Sequence, residues 1–407
     1  MRIDRGRPNA KLRLKLAEKK RVRLTWVWIA AALFSSLATT AAPAADSGVP
    51  RFVVDPYWPK PLPQRWVTGE VGGVCVDGHD HVFGVNRLNL TATELKVGKQ
   101  PAPVVIEYDA AGDFVNGWGD PKVMPKNIHG CFVDRDDNLW IGGSGDGLVQ
   151  KWTHDGKTLL LQIGRKGVCD NADDQCGEPG LNHSETRLNE PADIAVDAAN
   201  GDIYIADGYG NHRVVVFDAH GQFLRQWGEA GTDRGLFALM GGGHPHCAKF
   251  DRDGLLYVCD RGNDRIEAFD KTGALKRVIP IKPGTAFSPA PDGTPGRKAI
   301  GSALDVAFSP DPAQTYMYVA DPGNEVVWIL ERKSGQILGG FGDAGHNAGE
   351  FTLLHMLATD SRGNIYTSET IDGRRLQKFT SQGFVEESAL KPYMGSPHYA
   401  AWPDLSK

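Results

Sequence analysis

The sequence predicts an all-β fold, a six-bladed β-propeller with four-stranded antiparallel blades around a central channel. One unit of sequence recurs six times, and each copy alternates short apolar runs with polar turns. Strand-and-turn alternation of this kind is typical of all-β folds, and four strands in each unit are typical of propeller blades. Helical periodicity is nearly absent after the first 45 residues, so we expect a single propeller domain.

The repeated unit is clearest in two consecutive copies in the middle of the chain. They read PADIAVDAANGDIYIADGYGNHRVVVFDAHGQFLRQWGEAG (191–231) and PHCAKFDRDGLLYVCDRGNDRIEAFDKTGALKRV (245–278). Each has a short apolar strand that ends in Asp, and three more strands follow, separated by turns that contain Gly, Asn or Arg. Self-similarity over this length indicates a repeat architecture.

The residue that follows the first strand of each unit serves below as the register mark of that unit. The six register marks are Asp77, Asp134, Asp197, Asp251, Ser309 and Asp360. The sixth unit lacks a fourth strand, so we expect RFVVD (51–55) to supply it, which would close the ring and remove exposed sheet edges. The propeller domain is therefore predicted at 51–395, with a C-terminal tail at 396–407.

The first 45 residues differ in kind from the rest of the chain. A basic region comes first, and LTWVWIAAALFSSLATTAAPA then runs without a charge and ends in small residues. This order is typical of a secretory signal peptide, and an uncleaved N-terminal anchor helix is the alternative. We expect export to the periplasm or the medium without stable membrane association after signal cleavage, or else a membrane-anchored protein.

The charge of the chain argues against a nucleic-acid partner. The sequence holds 45 basic and 50 acidic residues, and ten of the basic but only two of the acidic ones precede residue 45. The chain after this leader thus has a net charge of −13, which would repel a polyanion. We expect a monomer that acts on a small molecule or a peptide.

The six cysteines do not follow a recognisable disulfide or zinc spacing. Cys169 and Cys176 lie in one polar loop and are near enough to close a small ring. The other four lie on apolar strand-like runs, and we expect them to be buried as small apolar residues. They are Cys75, Cys131, Cys247 and Cys259. No CxxC spacing occurs, so a cysteine zinc site is not expected.

Three histidines occupy equivalent positions in alternate units. Five residues before the register marks, the sequence has Gly72, His129, Ala192, His246, Leu304 and His355. Since the first strand of each propeller blade lines the channel, these histidines would lie about 120° apart around its axis. Three imidazoles with one open position are typical of catalytic zinc, although imidazole also suits copper, iron and nickel. His244 is outside this register, and we expect it to be solvent-exposed.

The units resemble NHL repeats, and residues 65–380 resemble the peptidyl-α-hydroxyglycine α-amidating lyases. The resemblance is strongest in the third unit, PADIAVD…DIYIADGYGNHRVVVFD…GQFLRQWGE. It implies a zinc ion bound by His129 in NIHGCFVD, His246 in HPHCAKF and His355 in LLHMLATD. It also implies three active-site residues, namely Tyr209 in the DGY turn, Arg87 and Arg261.

The sequence departs from that family at a second implied metal site. The family binds calcium through two carbonyls, which map to Val74 and Cys131, and through an aspartate, which is Met356 here. A thioether is a poor ligand for a hard cation, so this departure argues against calcium. A family methionine is replaced by Leu353, and a family cysteine by Gly210.

These residues together predict a metal-dependent carbon–nitrogen lyase, with zinc as the expected metal. It would cleave a carbinolamide, such as a peptidyl-α-hydroxyglycine, into an amide and glyoxylate. Zinc would assist loss of the hydroxyl proton, Tyr209 would act as the base, Arg87 would bind the substrate carboxylate and Arg261 would give electrostatic support. Two alternatives remain: a metal-dependent lyase or hydrolase of another small molecule, and a non-catalytic NHL-type binding scaffold.

Overall fold

Short strands, almost all of them antiparallel, are the main regular structure of the described chain. The computed structural model describes residues 48–177, 179–239, 244–285 and 300–385. The predicted leader at 1–45 and the predicted tail at 396–407 lie outside this range. None of the described helices is long and apolar enough to cross a membrane.

The strands form six four-stranded sheets, and the fold is the six-bladed β-propeller that the sequence predicts. Two strands precede the first blade: β1 (Val49–Asp55) and β2 (Trp66–Val67). Blade one consists of β3 (Val71–Val76), β4 (Val82–Asn86), β6 (Val105–Tyr108) and β7 (Phe114–Trp118). Its insertion contains helix α1 (Ala92–Lys96) and β5 (Gln100–Pro101), and β5 pairs with β2.

Blades two to five follow in chain order. Blade two consists of β8 (Ile128–Val133), β9 (Leu139–Gly143), β10 (Gly147–Trp152) and β11 (Leu159–Arg165). Blade three consists of β12 (Asp193–Val196), β13 (Ile203–Asp207), β14 (Arg213–Phe217) and β15 (Phe223–Trp227). Blade four consists of β16 (Ala248–Phe250), β17 (Leu256–Asp260), β18 (Arg265–Phe269) and β19 (Leu275–Pro280), with a 3-10 turn at Arg261–Asn263. Blade five consists of β20 (Asp305–Phe308), β21 (Tyr316–Asp321), β22 (Val326–Glu331) and β23 (Ile337–Phe341).

Blade six joins the two ends of the propeller. It consists of β24 (Leu354–Thr359), β25 (Ile365–Glu369) and β26 (Leu376–Val385), and its fourth strand is β1. Strands β1 and β26 are antiparallel, and Val49 lies opposite Val385. The prediction that RFVVD completes the sixth blade is therefore confirmed.

Apolar side chains pack between neighbouring blades and hold the ring together. Each of the six buried clusters takes its members mainly from two adjacent blades; one cluster, for example, includes Phe83 of blade one and Ile141 of blade two. Carboxylates at the register marks fix the turns between first and second strands. Asp134 Oδ1, for example, accepts hydrogen bonds from the backbone N–H groups of Asp136 and Asn138, both at 3.0 Å.

The expectation for the four strand cysteines is wrong, because all four are paired. Cys75 bonds to Cys131 and thus joins the innermost strands of blades one and two. Cys247 bonds to Cys259 within blade four. These cysteines are buried, as expected, but the ring brings residues on neighbouring strands to Cα separations of 5.8 Å and 4.8 Å, which suit a disulfide. Cys169 and Cys176, which the sequence places near enough to close a small ring, are bonded to each other.

The disulfide between blades gives a stability prediction. The Cys75→Ala/Cys131→Ala variant should lose about 4 kcal/mol of unfolding free energy, because a bond across 56 residues strongly restricts the unfolded chain. The Cys169→Ala/Cys176→Ala variant should lose less, about 2.5 kcal/mol, since that bond spans only 7 residues. Denaturant unfolding would measure both losses, and an equal or reversed order would contradict the prediction.

Candidate metal centre

The three histidines in register meet in the channel. His129 lies on β8, His355 on β24, and His246 two residues before β16. Their ring centroids are 4.5–5.1 Å apart, and one ligand nitrogen from each lies within 4.8 Å of the others. All three side chains are buried. The spacing of the repeat thus correctly predicts that these residues come together.

Each of these histidines is oriented by a backbone carbonyl of the next blade. Nδ1 of His129, His246 and His355 lies 2.8, 2.8 and 2.7 Å from the carbonyl oxygens of Ala192, Leu304 and Gly72, respectively. A carbonyl can only accept a hydrogen bond, so each Nδ1 must carry the proton. In a neutral imidazole the Nε2 atom is then unprotonated, and its lone pair is available to a metal.

The surroundings keep the three imidazoles neutral. Burial is the main cause that lowers the pKa of each histidine well below its ordinary value. The guanidinium groups of Arg87 and Arg261 act in the same direction on His355. A metal binds only the neutral form of imidazole. The lowered pKa values therefore keep these side chains in the form that can coordinate a metal.

Tyr209 points at the same centre. Its hydroxyl oxygen lies 2.9 Å from Nε2 of His129 and 3.2 Å from Nε2 of His246. The tyrosine follows β13, and Asp207 fixes its turn by accepting a hydrogen bond from the side-chain amide of Asn211 at 2.7 Å. The guanidinium carbon of Arg261 lies 5.7 Å from the centroid of the Tyr209 ring. Both residues therefore lie where the sequence predicts.

Arg87 borders the centre on the side of blade one. Its Nε donates to the carbonyl oxygen of Ile128 at 3.1 Å, next to His129, and its Nη1 donates to Glu70 Oε2 at 2.6 Å. Glu70 also accepts a hydrogen bond from the side chain of Asn89 at 2.7 Å. The arginine is thus held by two fixed partners, and Glu70 is a neighbour that sequence reasoning missed.

The donor set fits a divalent first-row metal. Three converging imidazole nitrogens with a hydroxyl beside them match the three protein ligands and one exchangeable position of catalytic zinc sites. The hydrogen bonds from Nδ1 to carbonyls are the outer partners that histidine ligands commonly have. The geometry is compatible with a metal and leaves the choice among zinc and similar ions open.

Comparisons with known proteins agree with this architecture. An NHL-repeat family profile matches residues 188–217. Peptidyl-glycine alpha-amidating monooxygenase A of Xenopus laevis is 27% identical over 326 residues, 74% of this chain and 31% of that protein. Peptidyl-alpha-hydroxyglycine alpha-amidating lyase 1 of Drosophila melanogaster is 26% identical over 317 residues, 72% of this chain and 49% of that protein.

A further relative has no enzyme in its name. NHL repeat-containing protein 3 of Homo sapiens is 29% identical over 175 residues, 42% of this chain and 46% of that protein. The chain spans less than half the length of each of these curated relatives. This chain is a six-bladed propeller with an NHL repeat at 188–217, and it resembles the peptidyl-α-hydroxyglycine α-amidating lyases. The resemblance stated from the sequence is thereby confirmed.

The position of His244 in this propeller corrects the sequence-based expectation. His244 is buried, not solvent-exposed. Its N–H donates to the carbonyl of Gly208 at 2.8 Å, and its Nδ1 accepts from the N–H of Gly262 at 3.1 Å. It therefore joins the turn of Tyr209 to the turn of Arg261.

Two glycines could have signalled this contact. A Cβ on Gly208 would lie 2.0 Å from the Pro245 carbonyl oxygen, and a Cβ on Gly262 would lie 2.6 Å from a ring carbon of His244. Only glycine therefore lets the His244 loop pack this closely between the two turns. The GGGHPHC segment thus contributes one histidine to the centre and another to its support.

The calcium site implied by the resemblance does not fit the residues present. Met356 lies in the apolar cluster between blades six and one. Val74 and Cys131 line a cavity of about 590 Å³ together with Lys249. The Lys249 ammonium lies 2.6 Å from Asp193 Oδ2. The positive charge next to this carboxylate is therefore supplied by a lysine side chain of the protein.

The carboxylates around Lys249 explain why it stays charged. Burial opposes its charge, but Asp193 and Asp305 outweigh burial and raise the pKa of Lys249. Asp305 Oδ1 is 3.7 Å from the ammonium. Asp193 Oδ2 also accepts the N–H of Ala248 at 3.0 Å, which ties blade three to blade four. Sequence reasoning missed this ion group because Lys249 lies outside the histidine register.

The backbone carbonyls give a prediction about tautomers. In chelator-treated protein at pH 6, His129, His246 and His355 should be neutral and protonated at Nδ1, which ¹⁵N NMR of histidine-labelled protein would detect. Their pKa values are lowered, whereas unfolded histidines titrate near 6.5, so stability should fall as the pH falls below about 6.5. Imidazolium signals at pH 6, or protonation at Nε2, would contradict the prediction.

Proposed function

We propose that this protein is a zinc-dependent carbon–nitrogen lyase that cleaves peptidyl-α-hydroxyglycines into peptide amides and glyoxylate. One observation carries the proposal: three Nε2 lone pairs, fixed by backbone carbonyls, converge on a centre that also contains the Tyr209 hydroxyl. A binding scaffold would not need three buried, correctly oriented imidazoles around a tyrosine.

The named relatives support this choice of reaction. An amidating lyase of Drosophila melanogaster and a probable amidating lyase of Caenorhabditis elegans align with this chain at 26% and 29% identity. These identities support a lyase-type propeller in general, and the substrate is inferred from the site. The inference of the substrate rests on three imidazoles that can bind a metal, on Tyr209 as the proton acceptor, and on the Arg87 guanidinium at the border of the centre.

The reaction breaks the bond between nitrogen and the hydroxylated carbon. In R–CO–NH–CH(OH)–COO⁻, the hydroxyl loses its proton and its electron pair forms the aldehyde C=O. The C–N bond breaks, its electron pair goes to nitrogen, and a proton completes the amide. A zinc ion held by His129, His246 and His355 would supply Lewis acidity toward the hydroxyl oxygen.

The side chains of this chain divide the remaining tasks. Tyr209, 2.9 Å from His129 Nε2, takes the hydroxyl proton and can return it to the leaving nitrogen. Arg261 lies over the Tyr209 ring and stabilises negative charge there. Arg87 uses Nε and Nη1 for fixed partners, and we assign its Nη2 to the substrate carboxylate.

The disulfides support a place of action outside the cytoplasm. Cys75–Cys131, Cys169–Cys176 and Cys247–Cys259 form three bonds, and such bonds persist in oxidising compartments. Together with the leader-like residues 1–45, they lead us to propose export to the periplasm or the medium.

An assay for glyoxylate tests the function. Purified protein with an α-hydroxyglycine amide should release glyoxylate and contain zinc, and chelation should abolish the release until zinc is restored. The His355→Ala variant should lose the metal of the central site and the activity together, because one of three ligands is removed. Zinc without glyoxylate would favour another lyase or hydrolase reaction, and no bound metal would favour the scaffold.

A tyrosine variant tests the proton transfer. Tyr209→Phe should lower kcat by about 10²–10⁴-fold, the usual contribution of a general base, while metal content stays unchanged. Tyr57→Phe is the matched control, since Tyr57 is 85% exposed, and it should retain full activity. Unchanged turnover in Tyr209→Phe would remove this residue from the mechanism.

A further inference from the structure

Four metal-ligating side chains meet where blade one contacts blade two, and none of them is a central histidine. They are Asp77, His81, Glu107 and His154, and one ligand atom from each lies within 4.8 Å of the others. We call this group the blade-one cluster. Asp77 and His81 flank the turn between β3 and β4, Glu107 lies on β6, and His154 follows β10 of blade two.

Glu107 is the hub of the cluster. Its Oε1 lies 2.7 Å from Nδ1 of His81 and 3.2 Å from Nε2 of His154. The Glu107 side chain is only 3% exposed, whereas the two imidazoles are 32% and 29% exposed. The cluster is thus a buried carboxylate under two partly accessible imidazoles, which leaves a route for an ion to enter.

Asp77 contributes a carboxylate oxygen that lacks a partner. Its side chain is fully buried, and Oδ1 accepts the N–H groups of His79 and His81, both at 2.8 Å. Oδ2 accepts no hydrogen bond from any described residue. It lies 4.0 Å from Nδ1 of His81, so this oxygen faces the cluster.

The other blades show what this oxygen normally contacts. At the register marks of blades two, three and four, Oδ2 forms an ion pair with a basic side chain: Asp134 with Lys151, Asp197 with Lys271, and Asp251 with Arg332. In blade six, Asp360 Oδ2 accepts hydrogen bonds from Asn364 and Tyr366. Blade one differs because the basic groups near Asp77 Oδ2 are the imidazoles of His79 and His81, with Nδ1 of each 4.0 Å away.

The charge of the cluster is not balanced by basic side chains. Within the described ranges, neither Asp77 nor Glu107 forms an ion pair with a lysine or an arginine. Asp137 adds a third carboxylate, with Oδ2 3.0 Å from Nδ1 of His154. Burying a carboxylate without a counter-charge costs free energy. The negative charge of the cluster must therefore be balanced either by a metal ion or by protons on the imidazoles.

The donor types and spacings suit a metal. Two imidazole nitrogens and two carboxylate oxygens are ligands of zinc and similar first-row divalent ions. Bonds of about 2.0–2.2 Å in a tetrahedral site place ligand atoms roughly 3.3–3.5 Å apart. The observed separations of 2.7, 3.2 and 4.0 Å bracket that range, so small side-chain movements would form the site.

We propose that Asp77, His81, Glu107 and His154 form a second metal site, for zinc or a similar divalent ion, that links blade one to blade two. This site is structural, because its ligands lie apart from Tyr209 and the central histidines. It acts beside the disulfide between Cys75 and Cys131, which joins the same two blades at their inner strands.

Zinc stoichiometry of the full chain tests the proposal. After treatment with a chelator, the protein is titrated with zinc, and bound metal is measured by elemental mass spectrometry. The test variant is His81→Asn/His154→Gln, in which His81→Asn copies the asparagines that blades two and six have at this position, Asn138 and Asn364. His220→Ala is the control, since His220 is an exposed histidine that belongs to neither the central site nor the blade-one cluster.

The wild type and His220→Ala should bind two zinc ions per chain, and His81→Asn/His154→Gln and His355→Ala should each bind one. Zinc should raise the melting temperature of His355→Ala but not of the variant that combines all three substitutions. His81→Asn/His154→Gln should keep its glyoxylate activity, which separates this proposal from the proposed function. If His81→Asn/His154→Gln binds as much zinc as the wild type, the proposal is overturned. Protons on the imidazoles would then balance the negative charge of the cluster.

Discussion

The hydrogen bonds between blades at the centre of the channel are the constraint on which the site depends. Blades two, four and six supply imidazoles, and blades three, five and one supply the carbonyls that orient them. Each bond is correct only if both blades have the proper rotation about the axis. A single geometric condition, repeated three times, therefore sets ring orientation, tautomer and the position of the lone pairs.

The same alternation continues one residue along the strands. In blades three and five, Asp193 and Asp305 follow the carbonyl-bearing residues and accept N–H groups of Ala248 and Leu357 in the next blades. In blade one the equivalent residue is Gly73, where a Cβ would lie 2.3 Å from the His129 carbonyl oxygen. At Gly73, blade one approaches blade two so closely that no side chain fits at this position. The hydrogen bonds between histidines and carbonyls therefore repeat three times around the channel, whereas the packing one residue further along the strands differs in blade one.

The sequence predicts the fold and the central site well because both depend on spacing within the repeat. Six recurring units define the blades, and one offset from the register mark selects His129, His246 and His355. The histidine prediction needs only the fact that equivalent residues of a propeller lie at equal depth in the channel. Tyr209 and Arg261 are instead implied by the resemblance to the amidating lyases.

What the sequence does not predict depends on contacts between blades. The pairing of Cys75 with Cys131 requires two inner strands to lie side by side, and the burial of His244 requires two turns to close over it. The blade-one cluster draws residues from distant segments. The offset from a register mark predicts the depth of a residue along the channel axis. It does not predict which residues of neighbouring blades contact that residue, or at what distance.

Closure of blade six by β1 has a consequence for the order of assembly. The first strand of the propeller pairs with the last, Val49 with Val385, so a chain emerging from the ribosome cannot complete its ring until β26 has been synthesised. The carbonyl of Gly72 in blade one accepts the hydrogen bond that orients His355 only after blade six has formed. Such distant pairings form slowly. The central site is thus complete only when blade six, which carries His355, has formed.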